Sequence, residues 1–170
     1  MTRRAPIGAE HRVVAQSSDE GLSVGQLMSR ARASLLASLD AELEPFELNG
    51  TQFAVLKHLG EGAAQTAADL CRLNRYDTGA MTRILDHLEE KGLVRRERGR
   101  EDRRVVFLRL APQGRALLPR LMAVATRVLE VHLAGFGGDE VEALKGYLQR
   151  MIDNGQSQRD NQRSSSGGKP

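Results

Sequence analysis

Apolar residues recur along most of the chain at three- and four-residue steps, which is the spacing of an amphipathic α-helix. The first stripe runs from about residue 22 to residue 44, where Pro45 ends it. Five further stripes follow, each opening at a residue that suits a helix start: Asn49, Thr66, Asp77, Pro112 and Asp139. The pattern therefore predicts a mainly α protein of six helices.

One segment changes to the period of two that is typical of β-strands. It comprises residues 93–98 and 104–110, and in the second run Val106, Leu108 and Leu110 share one face. Gly99 and four charged residues join the two runs, so we expect an exposed hairpin. A helix, a short helix, a tight turn, a helix and then a hairpin is the order of a winged helix-turn-helix.

Composition excludes several classes of protein. Of 170 residues, 40% are hydrophobic and 28% charged, and no apolar run approaches the roughly 20 residues of a membrane span. No secretory signal follows the N-terminus, so we expect a cytoplasmic protein. The lone Cys71 and the scattered histidines offer no metal site. Without a Gly-rich phosphate loop or a Ser/His/Asp order, we expect neither an enzyme nor a cofactor.

The net charge is only +3, but the arginines are clustered. Six of them fall between Arg95 and Arg104, against three acidic residues. Arginine makes planar, bidentate contacts to phosphate and to base edges, so the cluster favours a nucleic-acid partner. A solvated basic hairpin is the alternative interpretation of the same charges.

The helix that precedes the hairpin has two contrasting faces. Its inner face is apolar, with Met81, Ile84, Leu85 and Leu88. Its outer face carries small or hydrogen-bonding residues: Thr78, Gly79, Thr82, Arg83 and Asp86. Small residues at a helix N-terminus allow close approach to DNA, and an arginine there can reach guanine O6 and N7. A weak helix start is the alternative, but the basic hairpin that follows favours a DNA-reading face.

These segments strongly resemble the MarR family of bacterial transcriptional regulators. The resemblance is carried by DTGAMTR at 77–83, LEEKGLVRR at 88–96 and EDRRVV at 101–106, and upstream by LNGTQFAVL at 48–56. Gly114 also matches the family pattern. Ala111 departs from it, because a threonine usually precedes the fifth helix there.

The resemblance implies an obligate homodimer on a pseudo-palindromic operator, with the recognition helix in the major groove and the wing in the minor groove. Asp102 and Arg104 match the wing's Asp-x-Arg motif, in which the carboxylate braces the arginine. Arg100 and Arg103 are expected to contact phosphates. Together with Thr78, Gly79, Thr82 and Arg83, these four residues complete the expected DNA-binding set.

This interpretation divides the chain into five segments. We expect a flexible arm (1–20), a dimerisation helix (21–48), a winged helix-turn-helix lobe with a two-stranded hairpin (49–111), two dimerisation helices (112–152) and a disordered tail (153–170). The outer helices carry more apolar surface than a single three-helix layer could hide, which agrees with a helical dimerisation region.

The family resemblance also implies how the protein is regulated. Members of the family commonly bind small anionic aromatic or lipophilic effectors, and the candidate contacts here are Arg32, Thr51 and His58. We therefore expect a repressor that such a ligand releases from its operator. The alternative is a thiol-based redox sensor using Cys71, although a buried structural thiol fits the position of Cys71 among Leu70 and Leu73 better.

Overall fold

A computed structural model of the chain describes residues 22–74, 76–99 and 104–166, with side chains through residue 158. Its helices are α1 Val24–Leu43, α2 Gly50–Gly60, α3 Ala67–Asn74, α4 Thr78–Glu90, α5 Pro112–His132 and α6 Gly138–Ser166. A single 3-10 turn, Glu44–Phe46, follows α1, and the two strands are β1 Val94–Arg98 and β2 Val106–Leu110. The mainly helical winged-helix fold predicted from the sequence is confirmed.

Local hydrogen bonds explain where three of the helices begin. Asn49 and Gln52 form a reciprocal capping box, with N–H to side-chain oxygen distances of 2.9 and 3.0 Å. Thr66 and Asp69 do the same at the start of α3. Asp77 caps α4 by accepting a backbone N–H bond of 2.9 Å. These are the positions that the sequence pattern predicted.

The turn from α4 into β1 is made at a glycine. Gly92 has φ +66°, a left-handed conformation that side chains rarely adopt. The Leu93 N–H donates to Leu88 O at 2.9 Å, and the Gly92 N–H donates to Glu89 O at 2.8 Å. These two bonds define a Schellman motif, which closes α4 and directs the chain into the hairpin.

The strands pair antiparallel, with Val94 opposite Leu110 and Arg98 opposite Val106. The Leu108 N–H also donates to Gln65 O at 2.8 Å, so β2 is attached to the loop between α2 and α3. The hairpin rests on the core of the first of two compact units, whose described residues lie between Leu22 and Leu129. The largest fully buried side chains of that core are Leu43, Val55, Leu56, Leu70, Met81, Leu88, Leu108 and Leu121.

The first turn of α5 packs against the start of β1 at a position that only glycine can occupy. A Cβ atom on Gly114 would lie 2.1 Å from the carbonyl oxygen of Leu93. The Ala111 N–H donates to the same carbonyl at 2.9 Å. Because the neighbour is backbone, no side-chain rotation can relieve the clash.

The second unit, residues 130–170, contains the end of α5, a turn and α6. The turn includes Gly135 at φ +89°. Helix α6 begins at Gly138, so Asp139, the predicted cap, lies inside its first turn instead. Glu140 accepts the Gly137 N–H at 2.7 Å.

The structure differs from the expected disordered tail, because α6 continues through residues 153–166. Gln149 donates a side-chain hydrogen bond of 2.8 Å to Asp153, one turn further along. Glutamine and arginine are good helix formers, and no proline occurs between Pro119 and Pro170, so polarity alone does not end the helix. The expected arm (1–20) and residues 167–170 lie outside the described part of the chain.

Gly114→Ala is expected to destabilise the protein by roughly 1–3 kcal/mol, since the added methyl group forces α5 away from β1. Gly146→Ala is the matched control, because nothing lies within 4 Å of its added Cβ in α6. The control should be neutral or stabilising by up to about 1 kcal/mol. Urea unfolding of both variants measures the difference, and equal stabilities would contradict the close approach.

Candidate nucleic-acid interface

Helix α4 presents two faces of opposite character. The inner face is buried through Met81, Leu85 and Leu88. On the outer face Thr78, Gly79, Thr82 and Arg83 are all exposed. The Thr82 hydroxyl donates to the Thr78 carbonyl at 2.8 Å, which orders the side chain along the helix. Four of the predicted DNA-binding residues are therefore brought together on one exposed helix face.

The N-terminus of α4 is stabilised by a carboxylate. The backbone N–H of Ala80 donates to Asp77 and lowers the pKa of that carboxyl below its ordinary value. The positive charge of Arg83 acts in the same direction. The cap thus orders the first turn of the helix whose outer residues are candidates for base contacts.

Thr51, a predicted ligand contact, is engaged in a different interaction. Its hydroxyl lies 2.9 Å from the hydroxyl of Tyr76, just before the cap of α4. The pair joins the first turn of α2 to the turn between α3 and α4. The sequence offered no signal for it, because the two residues lie 25 positions apart.

The two strands of the wing stay hydrogen-bonded for one residue beyond their last pair, Arg98 and Val106. The Gly99 N–H donates to Val105 O at 2.8 Å, and Arg104 is exposed in the turn beside it. Arg100, Asp102 and Arg103 lie outside the described residues, so the bracing of Arg104 by Asp102 stays a prediction.

Helix α4 and the wing are joined by a set of three residues that we call the α4–wing clamp: Arg96, Asp86 and Glu89. The two terminal nitrogens of Arg96 lie 2.6 Å from Asp86 and 2.5 Å from Glu89. Hydrogen bonding to Asp86, with the charges of both carboxylates, raises the pKa of the Arg96 guanidinium. The sequence pattern places Asp86 on the outer face of α4 and Arg96 in the basic cluster, and it gives no sign of their contact.

The other ligand candidates are not gathered in the cleft that the structure shows. Arg32 is exposed on α1, and His58 is half-buried on α2 with a buried Nδ1 that has no hydrogen-bond partner among the described residues. A cleft of about 440 Å³ lies instead at the base of the wing. It is lined by Arg95, Leu110, Pro112, Arg115 and Ala116.

Other chemistries find little support in the described residues. Cys71 is half-buried and packs against the core of the first unit. Residues 22–74, 76–99 and 104–166 contain no group of three or more His, Cys, Asp or Glu side chains that could hold a metal ion. Within the same ranges no helix is long and apolar enough to cross a membrane.

Comparison with known proteins places the chain in a family. The MarR family model matches residues 46–105. The multiple antibiotic resistance protein MarR of Salmonella typhimurium is 28% identical over 135 residues, which cover 79% of this chain and 94% of that protein.

Two solved structures are similar over most of their length. One is a mutant MarR from E. coli complexed with operator DNA, with a TM-score of 0.69 and 27% identity over 76% of this chain and 93% of that one. The other is BpsR from Bordetella bronchiseptica, studied for regulation of its DNA binding by 6-hydroxynicotinic acid. It has a TM-score of 0.70 and 25% identity over 79% of this chain and 96% of that one. The chain belongs to the MarR family of DNA-binding, winged-helix transcriptional regulators.

Asp77→Ala should lower the thermal midpoint at neutral pH, because the first turn of α4 loses its cap. Asp77→Asn keeps a capping oxygen and serves as the control. The folded-state pKa of Asp77 is depressed, so its charge stabilises the fold above the unfolded pKa of about 3.9 and stops doing so as pH falls through the folded value. The thermal midpoint of wild type should exceed that of Asp77→Asn at neutral pH, and this difference should shrink as the pH falls through the folded-state pKa. An advantage that is independent of pH would contradict the role of the charge.

Proposed function

We propose that the protein is a homodimeric repressor that reads a pseudo-palindromic operator with α4 in the major groove and the wing in the minor groove. The observation that carries the proposal is the outer face of α4, where small and hydrogen-bonding residues surround an exposed arginine. A helix that served only as a solvated surface would more often carry a mixture of lysine and glutamate.

Each of the four predicted DNA-binding residues of α4 has a role that suits its position. Gly79 has no side chain, so it allows DNA phosphate to approach the first turn of α4, where the helix dipole is positive. Thr78 and Thr82 can contact base edges or sugar. Arg83 has the length and the fork of donors to bind guanine O6 and N7.

The wing supplies the second set of contacts. By family likeness, Arg104 enters the narrow and electronegative minor groove and is braced by Asp102. Arg100 and Arg103 contact the phosphates on either side. The exposure of Arg104 at the described end of the hairpin supports this assignment.

A second copy of the chain is the partner that we propose for the exposed apolar residues outside the DNA-binding lobe. At the start of the described chain these are Leu22, just before α1, and Val24, Leu27 and Met28 in the first two turns of α1. In the second unit they are Val131, Phe136, Tyr147, Leu148, Met151 and Ile152. Large hydrophobic side chains in such number mark an interface rather than scattered surface residues.

A small anionic aromatic or lipophilic ligand is proposed to release the repressor from DNA. The buried Nδ1 of His58 lacks a partner among the described residues, so a ligand could satisfy it. Arg32 would supply positive charge, and Thr51 could exchange its bond to Tyr76 for one to the ligand. The packing of Cys71 against the core supports a structural thiol over the redox alternative.

Arg83→Ala is expected to weaken operator binding by about 1–3 kcal/mol and to relax discrimination at one base pair per half-site. Fluorescence anisotropy on operator and random duplexes measures both effects. Arg127→Ala, an exposed arginine on α5, is the control and should change neither affinity. Equal weakening on the two duplexes would make Arg83 a phosphate contact.

Sedimentation of the wild-type chain at micromolar concentration should give twice the mass of one chain. Leu27→Glu places a charge on the exposed apolar surface of α1 and should shift the equilibrium toward the monomer. Because a monomer holds a single half-site, operator affinity should fall with dimerisation. A wild-type chain that sediments as a monomer would contradict the proposed assembly.

A further inference from the structure

We infer that the α4–wing clamp is a positioning device for DNA recognition. Arg96 sets the angle between the wing and the recognition helix, so that both can reach adjacent grooves at once. The inference rests on the proposed function, because the angle matters only if α4 and the wing bind one DNA molecule.

The geometry of the clamp restricts rotation as well as distance. Asp86 and Glu89 are three positions apart on α4, so their carboxylates lie on neighbouring turns of the same face. The guanidinium of Arg96 bridges them with its two terminal nitrogens, at 2.6 and 2.5 Å. The backbone N–H of Arg96 also donates to Glu89 at 3.3 Å. Because two hydrogen bonds hold the guanidinium of Arg96 and a third holds its backbone, the side chain cannot rotate freely relative to α4.

The clamp coincides with the attachment of the other strand. Arg96 pairs with Leu108 in the hairpin register. The Leu108 N–H donates to Gln65 O at 2.8 Å, between α2 and α3. At this one residue pair, therefore, β1 is bonded to α4 and β2 is bonded to the loop between α2 and α3. The wing cannot tilt in either direction without stretching one of these ties.

The partly exposed setting of the clamp favours a geometric role over a stabilising one. The side chains of Arg96, Asp86 and Glu89 are 33%, 50% and 40% exposed. Exposed ion pairs add little to the free energy of unfolding. A single arginine shared by two acids still restricts the conformations that the wing samples.

Two accounts of the clamp predict opposite results for Asp86. In a purely electrostatic account, Asp86 is a negative charge on the helix that faces phosphates, so removing it should tighten binding to every DNA sequence. In the positioning account, Asp86→Asn loosens the wing. Binding to random DNA then rises, whereas binding to the operator falls.

Glu90 provides a matched control on the same helix. It is exposed, and it makes no hydrogen bond or ion pair with any residue in the described part of the chain. Glu90→Gln removes the same charge one residue beyond Glu89 without touching the clamp.

The first measurement uses the free protein. Hydrogen exchange of the hairpin amides, residues 94–110, should quicken by roughly threefold to tenfold in Asp86→Asn and Glu89→Gln, because one charged hydrogen bond is weakened in each. Glu90→Gln should exchange like wild type. Unchanged thermal midpoints would show that the effect is local. Exchange that is unchanged in both clamp variants would overturn the inference.

The second measurement compares operator and random duplexes at one salt concentration. Asp86→Asn should lose about threefold to tenfold in operator affinity while random binding stays equal or rises. Arg96→Lys keeps the charge but contacts one acid at a time, and should lie between wild type and Asp86→Asn. Glu90→Gln should raise both affinities alike or leave both unchanged.

Three other results would each contradict one part of the inference or of the proposed function. Tighter binding of Asp86→Asn to both duplexes would reduce the clamp to charge neutralisation. A loss of operator preference with unchanged exchange would make Asp86 a base-reading residue and overturn the positioning role. A wild-type protein without operator preference would overturn the proposed function, whereas the exchange data would still decide whether the clamp holds the wing.

Discussion

Burial of one face of α4 is the constraint on which the proposed DNA-reading surface depends. Met81, Leu85 and Leu88 are at most 2% exposed, so the rotation of the helix about its axis is determined by the core. Successive residues turn by about 100° around a helix, so Thr82 and Arg83, which follow the buried Met81, lie on the side that faces away from the core. The positions of Thr82 and Arg83 follow from that packing and need no contact of their own.

The base of the hairpin is positioned by a second constraint, which is steric contact between backbone atoms. Gly114 brings α5 against the carbonyl of Leu93, where even a methyl group would collide with backbone. Further along the strands the attachments become polar and partly exposed, through Arg96 on one strand and Gln65 beside the other. The wing is therefore held by backbone packing at its base and by hydrogen bonds and ion pairs along its middle.

Features set by neighbouring residues could be predicted from the sequence. The caps at Asn49 and Asp77 and the glycine turn at Gly92 involve partners within five positions. The clamp could not be predicted, because the choice of Asp86 and Glu89 as partners of Arg96 depends on how the hairpin folds back over α4. The bond between Thr51 and Tyr76 was missed for the same reason. The length of α6 was misjudged because a polar segment without proline is compatible with either helix or disorder.

Methylation protection tests most directly the central claim, that α4 reads the major groove as one half of a symmetric pair. A duplex selected by the protein from random sequences would be treated with dimethyl sulfate, which modifies guanine N7 in the major groove and adenine N3 in the minor groove. The account predicts two patches of protected guanines, one helical turn or roughly 34 Å apart, with protected adenines beside them. Protection confined to adenines, or to a single patch of guanines, would contradict it.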